Sequence, residues 1–500
     1  MRRASHGVSA ALIVIATITL AGAPERLTDA VRGGDRQAVQ ALLKAGTPAN
    51  SADPDGTTAL QWAARANDVD VARVLLRAGA RVDAANRYGV TPLSLAAQNG
   101  SAPMIELLLA AGADPNHVIS KGQTVLMTAA RTGNVAAVTA LLDHGADVAA
   151  REDLLGEDAL MWAASENHPD VVKLLIARGA DVNVRSTPLT FPREQFGLEG
   201  VPTFLPKGDW TPLMYAARDG ATEAAAALAD AGAELDAVDP EHATALLRAI
   251  ANAHDDTAAV LIAHGANPNI ADTAGMGPLY AAVDMNTLGE VYGRPPRRVH
   301  DAHSALDIVS MLLEHGANPN AALETTTLTR AHTPGDFTLG TGTTPLMRAA
   351  YHGDAKAMEI LIAHGADVRL TQKNGGTALM LASGLGRGTS AFAEDVGTEA
   401  DLYGAVQVAL AHGADVNAVN ESGATAVHYA ARSGLNSVVR LLAQHGARLD
   451  VKDKQGHTPA DAALGLGGRG RAGGPAPVHK DTEALIEQLM GAKTTDAIGR

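Results

Sequence analysis

Apolar residues return along this chain at a spacing that suits neither one long helix nor a sheet. The strings TTALQWAA, VTPLSLAA, QTVLMTAA, EDALMWAA, WTPLMYAA, ATALLRAI, MGPLYAAV, TTPLMRAA, GTALMLAS, ATAVHYAA and HTPADAAL align column by column. The apolar anchor in each falls at Leu60, Leu93, Leu126, Leu160, Leu213, Leu246, Leu279, Leu346, Leu379, Val427 and Ala460. Successive anchors lie 33, 33, 34, 53, 33, 33, 67, 33, 48 and 33 residues apart, so a unit of 33 residues recurs and is interrupted by insertions. Each unit carries two helical stretches. The first begins at the threonine before the anchor; the second, such as Val71 to Arg77, is expected to bury Val74, Leu75 and their counterparts.

The residues between these stretches have local physical reasons to be there. Thr91 or Thr211 can cap a helix start, and Pro92 or Pro212 costs nothing at the first helical position, where an N–H would lack a partner anyway. Ala96 and Ala97 let neighbouring helices approach, and Gly79 or Gly112 supplies the left-handed residue that stops the second helix. Asp-x-Asn and a glycine-containing turn then form a protruding hairpin. The closing half of the unit repeats too, as LLRAGARVDAA, LLAAGADPNHV, LLDHGADVAAR, LIARGADVNVR, LIAHGANPNIA, LLEHGANPNAA and LIAHGADVRLT.

With its Gly-x-Thr-Pro-Leu opening and this closing half, the unit resembles the ankyrin repeat over about residues 25 to 490, in about eleven to twelve copies. The resemblance implies an all-α repeat solenoid of helix-turn-helix units joined by β-hairpin loops. It also implies a concave side lined by hairpin tips and first helices, and recognition of proteins without intrinsic chemistry. The chain departs from the family at the histidine of Thr-Pro-Leu-His, which is present only as His428. A bond network between units is expected to be weakened there, and the row Met127, Met161, Met214, Met347 and Met380 reads as core filling.

The breaks divide the chain. A degenerate capping unit at 25–55 precedes repeats at 56–185, 208–285 and 343–455, with the remainder of an interrupted unit at 304–321. Insertions at 186–207 and 322–342 lengthen hairpins, whereas 286–303 and about 385–403 separate the two helices of one unit. The cap at 456–490 contains a glycine-rich stretch at 465–480, and 491–500 is a tail. Phe191, Phe196, Phe204 and Phe337 lie in the hairpin insertions and want burial on the scaffold or on a partner, unless the loops merely drift.

Composition narrows the function. The chain is 46% hydrophobic but only 3% aromatic, which suits thin, alanine-rich helices. A formal charge of -15 argues against a nucleic-acid surface, and the absence of cysteine excludes disulfides, thiolate metal sites and a cysteine nucleophile. Met1-Arg2-Arg3, the apolar run Val8 to Leu20 and the small residues Ala21, Gly22 and Ala23 read as a signal peptide at 1–21, in a bacterial style. That run is too short to span a bilayer, so periplasmic or secreted placement is expected; tethering by an uncleaved segment is the alternative.

No local motif announces chemistry, and no cofactor or metal is expected. His144, His264, His315, His364, His412 and His445 form one column at the ends of second helices and read as structural. His300, Asp301, His303 and Asp307 have metal-ligand residue types without a diagnostic spacing, and Arg294, Arg297 and Arg298 make a small basic cluster in an insertion. The expected partner is a protein, bound by a monomer with no membrane role beyond export. Trp62, Trp162 and Tyr215 occupy a column that packs between units or, if partly exposed, anchors a partner. Trp210 beside a hairpin tip is the stronger anchor candidate, with Asp55, Arg65, Tyr88, Arg87, Arg131, Arg218, Asp219, Tyr351 and His352 at the family's variable contact positions. The alternative is an enzyme or small-ligand site assembled from the inserted loops.

Overall fold

The computed structural model describes residues 26–189, 208–287, 301–325, 338–387, 397–468 and 474–498. Among them are 24 helices and one two-stranded antiparallel sheet, Val118–Ser120 with Gln123–Thr124. The helices pair in chain order, as in Ala59–Arg65 with Val69–Arg77 and Pro345–His352 with Ala355–Ala363. First helices pack on first helices of the neighbouring unit and second helices on second, so the all-α repeat solenoid is the fold of the described residues. Two more hairpins make only a single bridge each, Ala52 with Thr58 and Thr371 with Thr377.

Starts and stops follow the side chains. Thr58, Thr91, Thr124, Thr211, Thr244, Thr344 and Thr377 each accept the backbone N–H three residues on. Asp158 takes the same place before Ala159–Ser165. Second helices stop against glycines in the left-handed region, such as Gly112 at φ 93°. His144, His264, His315, His364 and His445 each donate Nδ1–H to the carbonyl four residues back, so the histidine column satisfies helix ends.

The core is a continuous ribbon. The anchors from Leu60 to Val427 are buried, while Ala460 in the closing unit is half-buried. Helix Val69–Arg77 begins two residues earlier than the sequence pattern suggests and buries Val71, Ala72 and Leu75, leaving Val74 half-buried because it sits toward the helix flank. The methionine row is buried throughout. The bond expected from a histidine at that position also survives once without one. Gln61 accepts from Thr58 N–H at 2.6 Å and donates to the Val90 carbonyl of the next unit at 2.5 Å. His428 does the same with Thr425 and the His457 carbonyl.

Loops are cross-tied by asparagines. Asn116 donates to the Gly145 carbonyl and accepts from Asp147 N–H; Asn50, Asn269, Asn320 and Asn417 repeat the pair of bonds. The ends of the interrupted segments are fastened as well. Asp256 accepts the backbone N–H of Ala302 and His303 and the His303 ring Nδ1–H at 2.7 Å. Ser304 caps the helix that follows, accepting the Asp307 N–H while the Asp307 carboxylate accepts the Ser304 N–H. His303 and Asp307, two of the metal-ligand candidates, are thus engaged in docking the returning chain.

Two outcomes are expected. Gly133→Ala places a Cβ 2.5 Å from the His168 ring at a φ of 74°, whereas Gly112→Ala meets only the cost of positive φ; the first lowers the urea midpoint clearly more than the second, whose cost is about 1 kcal/mol. Burial pushes the Asp158 carboxyl up to about 6, against the pull of the Met161 amide and of Arg151. The folded chain therefore holds this proton more tightly than the unfolded one, so the contribution to stability is complete below 3.8 and lost as pH rises through about 6. Relative to the native chain, Asp158→Asn gains stability across that window in pH-dependent urea titrations.

Candidate functional site

Hairpin tips and the ends of first helices face each other across a groove of about 490 Å³, bordered by Asp55, Trp62, Arg65, Tyr88, Leu95 and Ile119 among others. The tips lock together: Arg87 N–H donates to the Asp55 carbonyl at 3.0 Å, and Asp153 N–H to the Lys121 carbonyl at 2.8 Å. A smaller pocket of about 190 Å³ follows, lined by Arg131, Glu157, Trp162, Ser165, Tyr215 and Arg218. Eight of the expected contact residues thus converge in two neighbouring hollows, with Arg87 on the tip above the first. His352 borders a separate hollow with Asn286, Asp354 and Asp401.

Arginines lie on the aromatic rings of this surface. The Arg32 and Arg65 guanidiniums sit 4.3 and 5.7 Å from the Trp62 ring centre, Arg87 lies 4.9 Å from Tyr88, and Arg131 5.9 Å from Trp162. Trp62 donates Nε1–H to Asp53 at 2.9 Å. Burial pushes the Asp53 carboxyl up, but hydrogen bonds from Thr28 and Trp62 and the charges of Arg32 and Arg26 outweigh it and hold the group below the usual carboxylate range. Trp162 donates to Glu157 at 2.9 Å.

Two of these arginines are seated from behind. His168 donates Nε2–H to the Arg131 carbonyl at 3.0 Å, and His254 to the Arg218 carbonyl at 2.9 Å. Gly133 and Gly220 leave the space each ring occupies. The chain segment presenting an arginine in one unit is therefore held by a histidine of the next.

The expected exposure of Trp210 is corrected. The residue is 3% exposed, because its backbone pairs with Ser186 and its ring lies 3.9 Å from Arg248, with Tyr215 edge-on at 5.4 Å. Tyr215 is buried too, and that burial raises its phenol above the ordinary value. Tyr351 and His352 are buried against each other, with the lengthened helix Glu399–Ala411 packed over their unit. Arg218 and Asp219 are half-buried and paired at 2.6 Å. Trp62 and Trp162 are half-buried; Asp55 is half-buried, and Arg65, Arg87, Tyr88 and Arg131 are exposed.

Buried ion pairs in the same column escaped the sequence reading. Arg248 pairs with Asp239, and Arg348 with Asp284 at 2.5 Å. A signal was available: Asp53 to Trp62, Asp239 to Arg248 and Asn420 to Tyr429 are all bonded pairs nine residues apart. The insertions were not reachable in the same way. The phenylalanines, the cluster Arg294, Arg297 and Arg298, and His300 lie outside the described residues. Among the described residues no group of three His, Cys, Asp or Glu could hold a metal ion.

The ankyrin-repeat family model matches residues 27–119, 115–186, 196–272, 324–391 and 398–469. The chain belongs to the ankyrin-repeat family. It is 31% identical over 253 residues to mouse ankyrin repeat and SOCS box protein 16, covering 51% of this chain and 47% of that protein. The human counterpart is 32% identical over the same length and coverage. A putative ankyrin repeat protein of fowlpox virus, FPV031, is 28% identical over 162 residues, 32% of this chain and 37% of that one. The chain thus spans about half the length of the first two relatives and less of the third. The crystal structure of the human ASB11 ankyrin repeat domain aligns with a TM-score of 0.40 at 24% identity, covering 48% of this chain and 98% of that domain.

The tryptophan environments make a direct check. In acrylamide quenching, Trp62→Phe/Trp162→Phe, which leaves Trp210 as the sole indole, is expected to emit further to the blue and to be quenched several-fold less than Trp210→Phe. Equal quenching would contradict the burial of Trp210.

Proposed function

We propose that this chain is a non-catalytic, exported binding scaffold that holds a protein partner along the groove of its first repeat units. Ankyrin repeats serve generally as protein-interaction scaffolds, and the observation that carries the reading here is a row of apolar fingertips. Tyr88, Val118 and Leu154 are 61%, 50% and 60% exposed, on successive tips beside a groove already floored by Trp62 and Leu95. Large apolar groups held out in water on adjacent rigid elements gain from being covered, and aromatic and arginine anchors dominate interface energies. Asp55, Arg65, Arg87, Arg131 and Trp162 extend the same surface, and Trp210 and Tyr215 support its far end from within, while Tyr351 and His352 belong to a distant unit and take no part in it.

Periplasmic or secreted placement belongs to this reading and rests on the sequence of residues 1–21, which lie outside the described residues. Among the described residues no helix is long and apolar enough to cross a membrane.

The test is affinity capture with the intact chain and with Tyr88→Ala/Leu154→Ala, run against envelope, culture and cytosolic fractions of the source cells. One protein recovered from the envelope or culture fraction by the intact chain, lost with the double variant and kept with Val419→Ala on a distant tip, is the expected result. A partner retained by the double variant would place the contact elsewhere, and one found only in the cytosol would remove export.

A further inference from the structure

The rim and tips of the groove over the first repeat units carry cations that no ion pair neutralises. The whole protein carries -15, yet Arg65, which borders this groove, and Arg87 and Lys121, exposed on the tips beside it, have no carboxylate within ion-pair distance among the described residues. Two acids lie beside them: Asp153, whose N–H meets the Lys121 carbonyl at 2.8 Å, and Asp55, which is held below its ordinary carboxylate range by hydrogen bonds from Thr57, with a smaller pull from Arg87. Cations at the two ends of the groove are consumed at home: Arg32 pairs with Asp53 at 2.5 Å and Arg131 with Glu166 at 3.2 Å. Uncompensated positive charge is thus confined to the middle of the surface.

Two of the three cations are also presented in a fixed way. Arg65 lies over Trp62 and Arg87 over Tyr88. A guanidinium resting on a ring spends its face on the ring and keeps its N–H edge outward, and that edge matches a carboxylate through two parallel hydrogen bonds. Stacking also removes side-chain freedom before a partner arrives, so less is lost on binding. Lys121 sits on the next tip in the left-handed region at φ 48°, which turns the finger beside Val118.

We propose, building on the protein-binding reading of this groove, that its partner is an extended protein segment in which carboxylates alternate with apolar side chains. The carboxylates meet Arg65, Arg87 and Lys121, and the apolar residues cover Tyr88, Val118 and Leu154. The ring-backed arginines act as receptors for side-chain carboxylates, and the apolar tips set the need for an interleaved sequence, so a simple polyanion does not satisfy the surface.

The experiment uses the full chain and a fluorescently labelled synthetic peptide of repeating Glu-Leu-Gly, with matched Lys-Leu-Gly and Glu-Gly-Gly peptides and heparin as comparisons, read by anisotropy and by tryptophan emission. The Glu-Leu-Gly peptide is expected to bind at least about tenfold more tightly than either other peptide, and to weaken as salt rises from about 50 to about 500 mM. Arg65→Glu/Arg87→Glu/Lys121→Glu is expected to lose at least about tenfold of that affinity while keeping the native melting curve. Lys173→Glu, on a second helix, leaves it unchanged. Equal binding of the Lys peptide, equal binding of heparin, an equal loss in Lys173→Glu, or no peptide binding at all would each overturn the proposal. A captured partner with a neutral or basic contact segment would overturn it too, while leaving the scaffold reading in place.

Discussion

No helix pair in this chain can bury its own apolar face, and everything else in the molecule follows from that. Leu93, Leu126 and Leu160 disappear from solvent only because the unit before and the unit after close over them. Paired alanines such as Ala129 and Ala130, fully buried, allow that closure at short range. The result is stability summed from neighbour to neighbour, with little to gain from contacts across the molecule. Such a stack can be interrupted wherever a loop leaves it, provided the chain comes back in register. Asp256 does this for one return by collecting the amides of Ala302 and His303, and Asn286 bonds Asp354 of the next unit at 2.6 Å across the same break.

The polar groups of the stack obey the same neighbour rule. Asparagine side chains tie many of the loops to the next, with Asp83 and Asp236 taking that place at two others, Gln61 and His428 reach one unit forward, and His168 and His254 reach one unit back. Buried charges are tolerated where their partner lies in an adjoining element: Asp239 for Arg248, Asp284 for Arg348. Leaving either partner alone in the interior would cost several kcal/mol, so these pairs enforce the relative seating of their units even though they add little net stability.

Much of the fold was legible because its signals are local. Thr-Pro before an anchor, glycine after a second helix and the 33-residue return each report a short-range requirement of the backbone. Burial of individual aromatics was harder to read, since it depends on what the next unit brings. Trp210 looks like a surface residue until Arg248 and Ser186, from either side in the chain, enclose it. Tyr351 and His352 are covered by a helix that follows an insertion, which no period predicts. Conversely, Asp55, Trp62, Arg65 and Tyr88 were recognisable as one surface because their positions in the unit already determine which side of the stack they occupy.

The histidine-to-carbonyl bond has a consequence for how such a surface grows. An arginine on the groove is furnished by one unit, but its backbone is steadied by a ring from the unit after it. The units that carry Arg131 and Arg218 have Asn134 and Ala221 at the histidine's column, and those that carry His168 and His254 have Ser165 and Ala251 at the arginine's, so a duplication must span two consecutive units to copy a cation together with its clasp. The binding face can therefore be lengthened or shortened by such pairs of units without redesigning either edge, and its chemistry is inherited as a tiling pattern.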